Sequence, residues 1–159
     1  MCRYGRDVDF VKVLDFGLAR HAQAGVDPRL TASGMFVGTP GYMAPEQIFD
    51  LDPEPRTDLY GLGCVAYWLL TGARPFEAKT PGEVARLHVQ VAPEPPSLRG
   101  GRPLPARLEA LIMACLAKEP AERPTNADAL SDALGECLDQ DAWSQLEARA
   151  WWDQNLGAT

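Results

Sequence analysis

Leu59 to Leu70, "LYGLGCVAYWLL", is the longest apolar run in the chain, twelve residues broken only by Gly61 and Gly63. A bilayer span needs about 20 consecutive apolar residues, so this run predicts a buried helix and not a membrane segment. Thr57 stands where a hydroxyl can cap the first turn, and Gly72 where a left-handed residue can end the last. Between them the helix is apolar on nearly every side. That places it at the centre of a domain, with Leu62, Val65 and Leu69 inside.

What surrounds it also reads as helical. Pro45 opens a short turn, "PEQIF", where its fixed φ suits a first helical position. "TPGEVARLHVQ" predicts another short helix, followed by the proline- and glycine-rich connector "VAPEPPSLRGGRPLP". Leu108, Leu111, Ile112, Cys115 and Leu116 recur at i, i+3, i+4, i+7 and i+8, one helical stripe. Ala127, Leu130, Leu134, Cys137 and Leu138 form a second, which Thr125 and Asp128 open as a capping box. In the tail, Trp143, Leu146 and Ala150 share one side of a last helix, and its tryptophans are expected to pack on the domain. Only the N-terminus alternates like a strand: "VDFVKVL", with Gly5 and Asp7 as turn residues, predicts a β-hairpin within residues 1–17. Residues 18–40 lack sustained periodicity and read as a long loop, a feature that is usually functional. The fold class is therefore mainly α, with one small N-terminal hairpin and no internal repeat.

Composition narrows the function. The 159 residues are 46% hydrophobic and 23% charged, an ordinary globular content. A net charge of −7 with no dense basic cluster argues against nucleic acid as a partner. The cysteines at 2, 64, 115 and 137 include no C-x-x-C pair, and three of them lie in apolar stretches. They read as reduced thiols in a cytoplasmic protein. His21 and His88 are too isolated in sequence to suggest a metal cluster, and nothing after Met1 has the pattern of a signal peptide. "PEPP" at 93–96 fits P-x-x-P, a pattern equally common in plain connectors.

Four motifs then fall in order: "VLDFG" at 13–17, "GTPGYMAPEQ" at 38–47, "TDLYGLGCVAYWLLTGARPF" at 57–76 and "KEPAERPT" at 118–125. Together they resemble the C-terminal half of a eukaryotic-type serine/threonine protein kinase, with a bacterial flavour in "APEQ". The resemblance covers residues 1–138, which it implies are a partial catalytic domain (the helical C-lobe of an α+β parent). Residues 139–159 then form a helical tail. Asp15, at the end of a strand and freed by Gly17, is implied as the magnesium-binding carboxylate, with Phe16 packed under the nucleotide. Taken alone, Asp15 reads equally as a turn residue. The loop at 18–40 corresponds to an activation loop in which Thr31 and Ser33, near Arg29, are phosphorylation candidates or simply solvated hydroxyls. Gly38, Thr39 and Pro40 are implied to position a serine- or threonine-bearing substrate; by residue type, Gly38, Pro40 and Gly41 fix a tight backbone. Glu46 and Arg123 correspond to a buried ion pair of the family. Asp58 corresponds to a carboxylate that holds the catalytic loop, although the helix dipole alone would favour it there.

The resemblance implies ATP and Mg²⁺ as cofactors and a protein as substrate. It also exposes a gap. The chain contains no G-x-G-x-x-G, no V-A-I-K and no His-Arg-Asp with its downstream asparagine, so no catalytic residue of that loop is retained. The expectation is a kinase fragment, cut inside its catalytic domain and inactive alone. The alternative is a non-catalytic C-lobe acting as a binding module or pseudokinase-like scaffold.

Overall fold

A computed structural model describes residues 2–4, 7–10, 40–52, 54–137 and 143–156. The chain divides into two compact units, Met1–Val26 with Leu138–Thr159, and Asp27–Cys137. In order, the described elements are β1 (Cys2–Tyr4), β2 (Asp7–Phe10), α1 (Pro45–Ile48), α2 (Pro55–Thr71), α3 (Pro81–Gln90), α4 (Pro96–Arg99), α5 (Ala106–Cys115), α6 (Ala127–Gly135) and α7 (Gln145–Leu156). Two 3₁₀ turns, Pro40–Tyr42 and Pro120–Glu122, complete the larger unit.

The long apolar run lies in α2, which begins two residues before the expected cap. Pro55, with its φ already set, takes the first helical position, and Thr57 sits inside the first turn. There its hydroxyl accepts from the Glu54 N–H at 3.1 Å. Gly72 ends the helix in the left-handed region, at φ 72°, as expected. Ala44, Tyr60, Cys64 and Tyr67 pack with Ile112 and Leu116 in one core cluster, and Leu59 with Cys115 and Leu130 in a second. Burying an aliphatic side chain of this size contributes about 1.5–3 kcal/mol. Gly63 is what lets α5 come so close. A Cβ there would stand 2.7 Å from Cys115 Cβ.

The other side of α2 corrects the expectation of a helix covered all round. Leu62 is 49% exposed, Val65 40% and Leu69 61%, with Trp68 also largely exposed. The described helices pack against one face only, and a hydrophobic count along the sequence does not reveal how many faces have neighbours.

The stripe at 108–116 packs inward as its period requires, with Ile112, Cys115 and Leu116 buried. The second stripe does so only in part: Leu130 is buried, but Leu134 is exposed, Ala127 is exposed and Cys137 is half-buried. Leu138 lies outside the described residues. The cap of α6 is Asn126, whose side chain accepts from the Ala129 N–H at 2.8 Å, and not Thr125. Thr80 and Glu83 form the capping box of α3. The connector after it contains one helical turn, α4, and both Pro93 and Pro96 of "PEPP" are buried, which leaves that motif no free proline face.

In the smaller unit β1 and β2 pair antiparallel, Cys2 opposite Phe10 and Tyr4 opposite Asp7, with an irregularity between. Asp7 is thus a strand residue and not part of the turn. α7 buries Ala148, whereas Trp143, Leu146 and Trp151 are largely exposed. The expected packing of the tail tryptophans is corrected for those two. Ala148 is the fully buried residue of the described tail, and Trp152 is half-buried.

Candidate functional site

Pro45 starts α1 and thereby places Glu46 in its first turn, pointing into the protein. Arg123 follows the Pro120–Glu122 turn, and both side chains are shielded from solvent. They meet in a two-pronged pair, Nη1 to Oε1 at 2.6 Å and Nη2 to Oε2 at 2.8 Å. Arg123 also donates from Nε to the Ala117 carbonyl, from Nη1 to that of Arg56 and from Nη2 to that of Lys118. All five guanidinium N–H groups therefore have acceptors. The plane sits over the Tyr60 ring at 4.9 Å. Burial pushes the Glu46 carboxyl upward, but the Arg123 bonds, its own backbone N–H and the Thr57 hydroxyl outweigh this and hold it below the usual carboxylate range. Arg56 adds a second clasp, reaching the Pro120 and Thr125 carbonyls.

Tyr60 also borders a second polar cluster. His88, on the inner face of α3 and fully buried, bonds through Nδ1 to the Tyr60 hydroxyl at 2.8 Å. It meets Phe76 edge to face at 4.9 Å between centroids. Lys118 Nζ lies over Phe76 at 4.5 Å and over Tyr60 at 5.9 Å. Neither Lys118 Nζ nor His88 Nε2 completes a hydrogen bond of good geometry. Burial lowers His88 to about 4, with Lys118 beside it adding to the fall and the Gly41 backbone opposing it. Burial likewise lowers Lys118 to about 8. The Pro40–Tyr42 turn packs on α3 and α2, with Gly41 buried and Tyr42 against the α2 core.

Of the residues singled out from sequence, the structure brings Glu46 and Arg123 together. Pro40 opens the 3₁₀ turn, half-buried. Asp58 is exposed in the first turn of α2 and makes no hydrogen bond or ion pair among the described residues. It heads the stripe Asp58, Leu62, Val65 and Leu69, spaced i, i+4, i+7 and i+11 along the open face. Asp15, Phe16, Gly17, Thr31, Ser33, Gly38 and Thr39 lie outside the described residues. Among the described residues no group of three His, Cys, Asp or Glu side chains could hold a metal ion, so the fit of magnesium rests on the sequence motif at Asp15. Sequence reasoning missed His88, Lys118 and Arg56. The one available signal for His88 was its place on the apolar face of α3, four residues after Val84.

A turn that leads into a buried carboxylate, an arginine clasped by it from the last loop, and an acidic residue heading the long helix form one frame. The family model of the protein kinase domain matches residues 3–134. The chain belongs to the protein kinase family. Serine/threonine-protein kinase pkn3 of Myxococcus xanthus is 43% identical over 129 residues, covering 79% of this chain and 23% of that kinase. The serine/threonine-protein kinase PknD of Mycobacterium tuberculosis strain H37Rv is 42% identical over 131 residues, 82% of this chain and 19% of its own length. The probable serine/threonine-protein kinase PknB of Corynebacterium glutamicum is 38% identical over 128 residues, 79% and 20% respectively. The chain is therefore similar to a fifth or so of each of these kinases. No helix among the described residues is long and apolar enough to cross a membrane.

Proposed function

We propose that residues 1–138 form the helical, substrate-side lobe of a serine/threonine kinase that transfers the ATP γ-phosphoryl group to protein hydroxyls, and that 139–159 are a tail to it. These 159 residues alone are proposed not to transfer phosphate. The observation that carries this reading is the open face of α2: a carboxylate without a partner, Asp58, above the exposed side chains of Leu62, Val65 and Leu69. Apolar residues in a row with an acceptor at one end suit a face that receives another stretch of kinase chain. Its hydrogen-bond donors would bond Asp58, and its side chains would cover the row.

Under this reading Gly38, Thr39 and Pro40 shape the peptide-binding turn, Thr31 and Ser33 are phosphorylated, and the Glu46–Arg123 pair holds the turn to the last helices. Asp15, with Phe16 and Gly17 beside it, would hold Mg²⁺, which when bound would supply charge neutralisation on the transferring phosphates. A cytoplasmic location is part of this reading, and the free thiols of Cys64, Cys115 and Cys137 support it.

Phosphoryl transfer depends on positioning and electrostatic stabilisation, and Asp15 without the Gly-rich loop, the lysine and the catalytic aspartate supplies too little of either. The missing His-Arg-Asp sequence also favours a second reading, a docking lobe without chemistry. A γ-phosphate transfer assay on the purified chain, with a generic basic acceptor and Mg²⁺ or Mn²⁺, tests the proposal. No transfer is expected. Turnover that vanishes in Asp15→Ala would overturn the claim of inactivity.

A further inference from the structure

The Pro40–Tyr42 turn carries a close approach that its own residues do not explain. Gly41 is buried, yet its backbone lies outside the left-handed region that favours glycine. Space, and not conformation, is what a side chain there would lack. A Cβ at Gly41 would stand 3.0 Å from Arg74 Cδ and 3.1 Å from its Nη1. The aliphatic stem of Arg74 and one edge of its guanidinium therefore lie against the turn.

Arg74 reaches Gly41 from a fixed base. Gly72 ends α2 in the left-handed region. The Thr71 hydroxyl accepts from the Ala73 N–H at 3.1 Å, which pins the chain just before Arg74. Pro75 and Phe76, just after it, are buried, and Phe76 packs edge to face on His88. The backbone is held on both sides, and the side chain is left in solvent.

What the guanidinium lacks is an acceptor. Arg74 makes no hydrogen bond or ion pair among the described residues. Every other arginine between residues 54 and 137 has an oxygen partner within the chain. The acid closest to Arg74 in sequence, Glu77, is turned to Arg99 at 3.3 Å. A guanidinium presents five N–H donors in a planar fork, and a carboxylate matches that fork with two parallel bonds. Arg74 is seated at the turn with that fork unused.

We propose that Arg74 is a specificity-determining residue: its guanidinium, seated against Gly41, receives the carboxylate of an acidic side chain close to the acceptor serine or threonine of a peptide substrate. This rests on the substrate-side reading of the turn given above and adds a substrate class to it. The charge of the chain sharpens the preference. At −7 the molecule repels an acidic peptide as a whole, so one carboxylate in a neutral peptide is favoured over a run of them.

The test is the binding of matched peptides to the 159-residue chain, followed by NMR through the Gly41 and Tyr42 amides and the Arg74 Nε–H. Loss of the last signal in Arg74→Gln assigns it. Each peptide holds one serine and is otherwise neutral, except for glutamate or glutamine placed in turn at each position flanking the serine. At low salt and at the favoured position, the glutamate peptide should bind about three- to tenfold more tightly and move the Arg74 signal. That advantage should shrink as salt rises past about 0.1 M, where screening acts within about 10 Å. In Arg74→Gln the two peptides should bind alike. In Arg74→Glu a lysine at the same position should be preferred to glutamate. Gly41→Ala, whose methyl displaces the Arg74 side chain, should reduce the advantage with the guanidinium still present. Arg74 is exposed and unbonded, so both of its variants should unfold close to the wild-type midpoint.

Equal binding of the two peptides to the wild type, with the Gly41 and Tyr42 amides moving in both, would overturn the role of Arg74 and leave the turn as a substrate site. So would a glutamate preference that survives in Arg74→Gln. If no peptide moves the Gly41 and Tyr42 amides, the substrate-side reading falls, and the role of Arg74 falls with it. A glutamate preference that vanishes in Arg74→Gln and turns to lysine in Arg74→Glu supports both.

Discussion

Leu59 and Leu69 are the same residue type on the same helix, and the fold treats them oppositely. Leu59 is 4% exposed and packs with Cys115 and Leu130, whereas Leu69 is 61% exposed. The closed face of α2 also rests on the Glu46–Arg123 pair and the His88–Lys118 cluster. Among the described residues, the open face carries the unpaired carboxylate of Asp58 at its head. The two faces share composition and differ in neighbours, so stability should be concentrated on one side and recognition on the other.

The largest effect expected from breaking the closed side is at Arg123. Arg123→Ala leaves the Glu46 carboxylate buried without its partner and uncaps three backbone carbonyls. Removing one member of a buried pair costs about 3–5 kcal/mol, so the denaturation midpoint should fall sharply at neutral pH. Below about pH 4.5, where Glu46 can take up a proton, the gap to wild type should narrow. An unchanged midpoint would mean that the pair contributes nothing to the fold.

Leu59→Ala should come next, at about 2–5 kcal/mol, because the space it leaves is bordered by α5 and α6. Urea denaturation of this variant beside Leu69→Ala compares the two faces directly.

Much of the closed face was legible in the sequence, and the reason is local. Gly72 ends α2 because a left-handed residue is needed there, and the 108–116 stripe follows from helical period alone. Asn126 and Thr125 are both capping types, so composition could not choose between adjacent positions. Glu46 and Arg123 are far apart in sequence, and only the family resemblance suggested that they meet. His88 looked solitary because Tyr60, Phe76 and Lys118, which surround it, come from separate stretches of the chain. The open face was misread because Leu62, Val65 and Leu69 are as apolar as their buried neighbours. Hydrophobicity states a preference and does not supply a partner.

Two buried cations sharpen the comparison within the closed side. Arg123 has every donor satisfied, whereas Lys118 Nζ rests on rings with no hydrogen bond. Replacing Lys118 by Met removes a desolvated charge and forfeits a cation–π contact, two effects of opposite sign. The net change at neutral pH should therefore be within about 1 kcal/mol. Its pH signature is more informative. Lys118 is lowered from 10.5 to about 8, so between those values the unfolded chain binds more protons than the folded one. Wild type should accordingly gain stability relative to Lys118→Met as pH rises from about 8 to about 10.5. Cys64 and Cys115, raised to about 12 and about 11, pull the other way in both proteins and largely cancel in the difference. Parallel curves for the two proteins would show that Lys118 is not desolvated in solution.

The smallest effect is expected on the open face, and it tests the functional reading most directly. Leu69→Ala removes a side chain that is already mostly in water, so its cost should stay within about 0.5 kcal/mol. Leu62→Glu with Leu69→Glu should likewise leave the unfolding midpoint nearly unchanged, because neither position contributes to a packed cluster. What should change is association. An apolar row uncovered in the isolated chain favours contacts between copies, and two carboxylates placed in it repel them. Sedimentation velocity over a range of concentrations should show less self-association in the double variant. If Leu69→Ala instead costs as much as Leu59→Ala, the row is covered by the chain itself. Asp58 and its stripe would then be ordinary core, with no face left to receive the rest of a kinase.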